Sequence, residues 1–351
     1  MAPTSFPVKT ELMSIQLLRA LASLLVLLAH LQIKERQYGD ATALVWQQFR
    51  VGSIGVDIFF VLSGFIIFHI AGRIPSTTVD AWKFMKNRFI RVLPLYWALS
   101  AIALIIFLAQ PELVNKSSNK ATGIWESFLL IPTDDKLLIQ NGWTLSYEFL
   151  FYFAFFVTLL LLPLRFRAQA LLLAAFSSVF IGVLIEPSST FLRFVTDDLL
   201  LEFAYGVLIA AIYQRLDFQG YFKATWGSAA AVAAVAIVIF LAYIPPTHGS
   251  LRGVYFGAPA ALIVFAALTF EKELLCLAPL KILGDSSYSL YLSHVLTLPA
   301  AGMIWVKLGL NATLPNMWLL IYLFTVSVGA SIALYQYFEL PLTNLLRKRF
   351  R

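Results

Sequence analysis

"LLRALASLLVLLAHLQI", residues 17–33, is apolar enough to cross a membrane, yet it carries Arg19 near one end and His30 near the other. A spanning helix needs about 20 mostly apolar residues. Polar side chains inside one are costly unless they are paired or used. The stretch therefore points to a membrane fold and raises the question of what its two polar residues do.

The rest of the chain agrees. Its 351 residues are 60% hydrophobic and 13% charged, with a mean hydropathy of +0.80, whereas an average soluble domain is about 25% charged. About ten segments are apolar and long enough to span, near 12–31, 53–71, 92–109, 146–163, 168–185, 197–213, 226–244, 252–270, 288–310 and 316–338. The expected fold is an all-α polytopic membrane protein, a single integral membrane domain over residues 1–351 with no fused soluble domain. The apolar runs are continuous, which excludes a β-barrel, whose strands alternate apolar and polar over about 10 residues. The first segment reads as an uncleaved helix, because Arg19 interrupts its apolar region and no small-residue cleavage site follows. The single cysteine, Cys276, excludes a disulfide framework and a cysteine-rich metal site, and no metal is expected.

The net charge of +7 matters through its placement. Alternate connections hold about 16 Lys and Arg and the intervening ones about 9, so the positive-inside rule puts both termini in the cytoplasm. The expected location is a bacterial cytoplasmic (inner) membrane. The basic tail "RKRFR" (347–351) then answers to topology and anionic membrane lipids, and nucleic acid is not an expected partner.

That orientation sorts the polar residues by depth. Arg19 and His30 are 11 residues apart, on one helical face and about 16 Å apart along the axis. Arg19 falls in the inner half and His30 near the outer end. The bland alternative is a snorkelling arginine and an interfacial histidine. Asp57 in "VGSIGVDIFFVLSGFIIFHI" (51–70) and Glu148 in "NGWTLSYEFLFYF" (141–153) fall in the same outer layer as His30. A histidine with a carboxylate partner is suited to general base catalysis. On the inner side, "KFMKNRFIRVLPLYW" (83–97) sets Arg88 and Arg91 one turn apart, a spacing that suits either phosphate binding or the positive-inside rule alone. "LGDSSYSLYLSHVL" (283–296) places Tyr288, Tyr291 and His294 in the inner half, with Ser287, Tyr291 and His294 on one face. His294 reads as a core histidine or as part of a substrate path. Glu339 in "YFELP" reads as an ion-pair partner or cap. The longest connection, 111–143, is placed outside and expected to cover or shape an external site.

Taken in order, the Arg-x10-His of the first span, "GVDIFFVLSGFII" (55–67), "RFIRVLPLYW" (88–97), "WTLSYEFLFY" (143–152) and "GDSSYSLYLSH" (284–294) resemble the membrane acyltransferase-3 family, most of all its stand-alone exopolysaccharide O-acetyltransferases. The resemblance implies transfer of an acyl group, usually acetyl, from cytoplasmic acetyl-CoA to a hydroxyl of a polysaccharide or lipid-linked glycan, with a polysaccharide assembly complex as a candidate partner. It makes Arg19 and His30 the essential pair of the first helix. It also makes Arg88 and Arg91 the residues linked to the CoA donor, and Glu148 the acid of the motif that opens at Trp143. His30 is then the base, with Asp57 or Glu148 orienting it, and Trp143, Tyr288, Tyr291 and His294 flanking the substrate path. No activated nucleophile is visible, which favours direct transfer, with an acyl-histidine as the alternative. A transporter or flippase of glycan intermediates, using the same buried groups as a proton relay, is the competing class.

Overall fold

The computed structural model describes residues 11–45, 50–115, 121–216, 221–222, 224–243 and 251–350. Ten principal helices follow one another: α1 Met13–Tyr38, α2 Ile54–Ala71, α3 Thr78–Ala109, α4 Gly142–Leu161, α5 Arg167–Ile185, α6 Leu200–Arg215, α7 Ala224–Tyr243, α8 Gly257–Thr269, α9 Ser287–Lys307 and α10 Asn316–Leu334. No strand occurs among the described residues. Among the described residues, eight helical stretches are long and apolar enough to cross a membrane. The two remaining expected spans are also helical, but α6 has 16 residues and the qualifying apolar part of α7 is Thr225–Val238. In a bilayer every backbone polar group must be satisfied within its own segment, which is why apolar runs of this length become helices.

Burial ranks the helices. α2 has 72% of its apolar window buried and α5 only 17%. Phe176, Phe180, Ile181, Leu184 and Ile185 of α5 are exposed and form an apolar outer surface. α2 lies against α6 at close range, because Gly64 and Gly206 face the opposing backbones. A methyl on Gly206 would sit 2.0 Å from the Val61 carbonyl oxygen, and one on Gly64 would sit 2.2 Å from that of Phe203. Such small-residue contacts bring membrane helices together where burial of apolar surface supplies no drive. α1 packs on α2, α8, α9 and α10, so the helix that carries Arg19 and His30 touches both halves of the bundle.

Two local features aim functional side chains. α3 is one helix from Thr78, capped by the Thr77 hydroxyl, which accepts from the Asp80 amide at 3.0 Å. Arg88 and Arg91 are therefore inside the helix and not in a loop before it. α10 passes through a π turn at Tyr335–Glu339 into a C-terminal helix, Leu340–Arg349. Pro341 cannot donate the next helical hydrogen bond, and a π turn absorbs that defect. The turn points Glu339, 2% exposed, into the bundle.

Candidate functional site

Two adjoining cavities lie in the bundle. A wide cleft of ≈ 1280 Å³ opens at the end of the bundle where α1 and α3 begin, lined by Arg19, Lys83, Lys86, Arg88, Arg91 and Arg347 among others. A narrow chamber of ≈ 170 Å³ continues inward between α2, α3, α4 and α9, past Ser63, Glu148, Tyr152 and Tyr288 to Thr144 and Tyr291. Arg19, Ile66, Arg88 and Arg91 line both, and so form the neck between them.

The neck is strongly cationic. Arg19 donates to the Gln16 side-chain oxygen at 3.2 Å, and Arg91 pairs with Glu339 at 2.5 Å, where Ser289 also donates at 2.6 Å. The Arg88 guanidinium lies over the rings of Phe84 and Tyr152, at 5.6 and 5.9 Å, and its buried Nε has no hydrogen-bond partner. An orphaned buried donor beside two further guanidinium groups fits an anionic ligand, since a buried unpaired polar group costs about 1–3 kcal/mol. Glu148 accepts from Ser63 at 3.3 Å and from the Tyr152 hydroxyl, within electrostatic reach of Arg88 and Arg91.

The chamber's far end meets a pair of histidines. The Tyr291 hydroxyl bonds the Thr144 hydroxyl at 2.9 Å, and the Tyr291 ring lies edge-on to Phe59 and to His294. His294 in turn meets the His30 ring at a centroid distance of 4.8 Å. In each histidine Nδ1 lies 2.9 Å from the carbonyl four residues earlier, Val26 for His30 and Leu290 for His294. A carbonyl only accepts, so Nδ1 carries the proton in both and Nε2 keeps its lone pair in the neutral ring. The Nε2 of His294 faces the Asn141 amide at 3.4 Å, and that amide also donates to the Tyr291 carbonyl at 2.9 Å. The Nε2 of His30 has no such donor among the described residues.

The structure thus gathers Arg19, Arg88, Arg91, Glu148, Tyr288 and Tyr291 around the cavities and places His30 beside His294. It corrects the expectation that Asp57 or Glu148 orients His30. The Val26 carbonyl holds that ring, because it lies one turn back on the same helix. Asp57 is fully buried and held by both Nε and Nη2 of Arg252, at 2.9 and 3.0 Å. Glu148 lines the chamber with the arginines and bonds Ser63 and Tyr152. Leu137, Leu138 and Ile139 before α4 are buried, and so are Asn141 and Gly142, whereas Gln140 is exposed. Trp143 packs on Phe60 and Tyr147, outside the lining of both cavities. Tyr288 donates to the Val92 carbonyl at 2.8 Å, with the Arg91 guanidinium over its ring.

Several residues escaped the sequence reading. Arg252, Glu202, Asn141, Thr144 and Tyr152 all contact these groups. The signal for Arg252 was an arginine at the edge of an apolar span that also needed a partner for Asp57; charge matching among spans points to it. The described part of the 111–143 connection folds onto the bundle through Ser127, whose carbonyl accepts from Tyr96 at 2.6 Å and whose hydroxyl accepts from the Leu138 amide at 2.8 Å. Cys276 is exposed, and no group of three or more metal-ligating side chains occurs among the described residues.

The chain is a polytopic helical membrane protein with a cleft lined by Arg19, Arg88 and Arg91 that adjoins a buried chamber. Residues 13–336 match the acyltransferase domain model of the acyltransferase-3 family, and the chain belongs to that family. It is therefore an acyltransferase of the membrane. The chain is 28% identical over 310 residues to the exopolysaccharide production protein ExoZ of Rhizobium meliloti, covering 86% of this chain and 92% of that one. It is 25% identical over 342 residues to the peptidoglycan O-acetyltransferase OatA of Listeria monocytogenes, covering 87% of this chain and 51%, about half, of that longer protein. No solved structure matches the chain.

Proposed function

We propose that the protein moves an acyl group, most simply acetyl, from cytoplasmic acyl-CoA through the bundle to a hydroxyl of an exported or surface polysaccharide. The single observation that carries this reading is the continuity of the route. The cationic cleft and the chamber share Arg19, Arg88 and Arg91, and the chamber is also lined by Tyr291, whose ring meets His294, the neighbour of His30. The positive-inside rule sets the cleft in the cytoplasm and His30 towards the outer face of a bacterial inner membrane. The polysaccharide acceptor is supported by the similarity to ExoZ and OatA, whose names speak of exopolysaccharide and peptidoglycan.

The residues divide the work. Arg19, Arg88 and Arg91 bind the donor's phosphates at the neck, Arg88 using its orphaned Nε. Tyr288 and Tyr291 line the walls along which the thioester arm extends. His30 Nε2 takes the proton of the acceptor hydroxyl as its oxygen attacks the thioester carbonyl. The C–S bond then breaks, and the imidazolium returns that proton to the thiolate. The Val26 carbonyl fixes the tautomer this requires. Among the described residues the chamber holds no Ser–His or Cys–His pair; Ser63 meets only the Glu148 carboxylate, at 3.3 Å, and direct transfer is favoured over an acyl-enzyme.

The test is transfer of radiolabelled acetyl from acetyl-CoA in inverted membrane vesicles supplied with extracted lipid-linked glycan. Label entering glycan with the wild type and not with His30→Ala, at equal protein abundance, is the expected result. Label entering glycan equally with both overturns the role of His30. Its absence in both overturns the donor or the acceptor.

A further inference from the structure

The cleft carries more positive charge than its neck accounts for. Lys83, Lys86 and Arg347 line it without lining the chamber, so they stand at the rim. Lys83, Asn87 and Arg91 recur at every fourth residue along one face of α3, over about 12 Å. Arg347 comes from the far end of the sequence, on the C-terminal helix Leu340–Arg349. That helix is strapped to α3 at two points, by the Arg91–Glu339 pair at its start and by Lys86 donating to the Phe350 carbonyl at its end. Arg347 is opposed by the like charges of Arg88 and Arg91 and has no carboxylate partner among the described residues. The two carboxylates on the cleft wall, Glu11 and Asp285, are drawn to Lys281, at 2.5 and 3.8 Å. Cations gathered in this way repel one another unless an anion joins them.

The geometry points to a site for the 3′-phosphoadenosine end of acyl-CoA at the cleft rim, formed by Lys83, Lys86 and Arg347, with the C-terminal helix as its wall. This inference rests on the acyl-CoA reading above. The order of the cations matches the order of the donor's charges. The neck arginines border the chamber and so meet the diphosphate from which the pantetheine arm runs inward. The rim cations lie only in the wide cleft, where the ribose and its 3′-phosphate remain. Arg347 offers a planar fork for two phosphate oxygens, and the lysines add point charges on flexible stems.

The test measures equilibrium binding of acetyl-CoA and of acetyl-3′-dephospho-CoA to the full chain in phosphatidylcholine nanodiscs, which hold no anionic headgroup to compete. The wild type is expected to prefer acetyl-CoA by about tenfold or more. Lys83→Ala combined with Arg347→Ala should bind both donors alike, at the wild type's affinity for the dephospho form. That unchanged affinity also shows that the variant is folded. Arg347→Lys should keep part of the preference. Equal binding of the two donors by the wild type overturns this site and leaves the acyl-CoA reading standing, whereas binding of neither overturns both. A preference that survives in the double variant overturns the residue assignment. Adding phosphatidylglycerol should leave the preference in place; its loss would reassign the rim cations to lipid headgroups.

Discussion

The imidazoles of His30 on α1 and His294 on α9 meet edge to face, with centroids 4.8 Å apart and planes at 67°. Each ring is pinned to its own helix by a carbonyl, and His294 is held a second time by Asn141. His294 is fully buried and His30 is half-buried. The buried ring therefore supports the accessible one, and the two differ in what their removal should do.

His294→Ala leaves His30 present but unbraced. We expect turnover to fall by about a hundredfold, the scale of loss from a misplacement of about 1 Å, while acetyl-CoA affinity stays as in the wild type. Asn141→Ala should act in the same direction and more weakly, because it removes one hydrogen bond and leaves the ring contact. Rates at saturating donor, measured beside donor binding, check this. A loss of donor binding as large as the loss of rate would refute the support role.

Arg252→Ala strips the partner from a carboxylate that is 0% exposed. Leaving a buried charge unpaired costs about 3–5 kcal/mol, whereas removing both members of such a pair is far cheaper. The fully buried Glu202 lies near Asp57 and supplies no positive charge to replace Arg252 once it is gone. The double variant Asp57→Asn with Arg252→Gln should thus recover much of the stability that Arg252→Ala loses. Thermal unfolding in detergent measures both, and additive losses in the double variant would count against the pairing.

Glu339 is nearly sealed, with 1% of its side chain exposed, while the Arg91 side chain facing it is 28% exposed. Arg91→Ala should therefore lower protein abundance as well as donor affinity, because Glu339 is left buried alone. Adding Glu339→Gln to Arg91→Ala should restore abundance and leave donor affinity low. Immunoblots of membranes and acetyl-CoA titration separate the two effects. Recovery of donor affinity in the double variant would remove Arg91 from the donor site.

Gly206→Ala should push α6 off α2, because the added methyl would meet the Val61 carbonyl oxygen and the Phe65 amide nitrogen, at 2.0 and 2.6 Å. Overpacking of this kind costs about 1–3 kcal/mol. Since α2 also walls the chamber, activity should fall with stability. Gly329→Ala, where no neighbour lies within 4 Å, is the control and should be neutral. Equal melting temperatures for the two variants would contradict the close approach of α2 and α6.

Much of the architecture could be read from single segments. Each of the ten expected spans coincides with a helix, and their edges moved where the local chemistry was not apolar. α3 begins at Thr78 and not near residue 92, because capping and helix propensity extend a helix through polar residues that a hydropathy window discards. Partners were harder to read than helicity. Glu148, expected to orient His30, bonds Ser63 and Tyr152 in the chamber that Arg88 and Arg91 also line. The expectation of a carboxylate beside His30 failed because depth says nothing about which way a helix is turned.

Spanning helices are local objects, since a run of about 20 apolar residues that must satisfy its own backbone has one solution. The sequence by itself therefore determined the fold class, the succession of helices and the residue types available for chemistry, and its ordered motifs already resembled the family that residues 13–336 match. Only the tertiary structure decided the partnerships. Asp57 meets Arg252 across 195 positions, Arg91 meets Glu339 across 248 and Asn141 meets His294 across 153. Those meetings depend on helix rotation and on close approaches such as Gly64 and Gly206, which hydrophobic periodicity does not encode. In a membrane core, where apolar side chains gain little by choosing one apolar neighbour over another, small residues and polar pairs set the contacts, and they act between segments that the chain order keeps far apart.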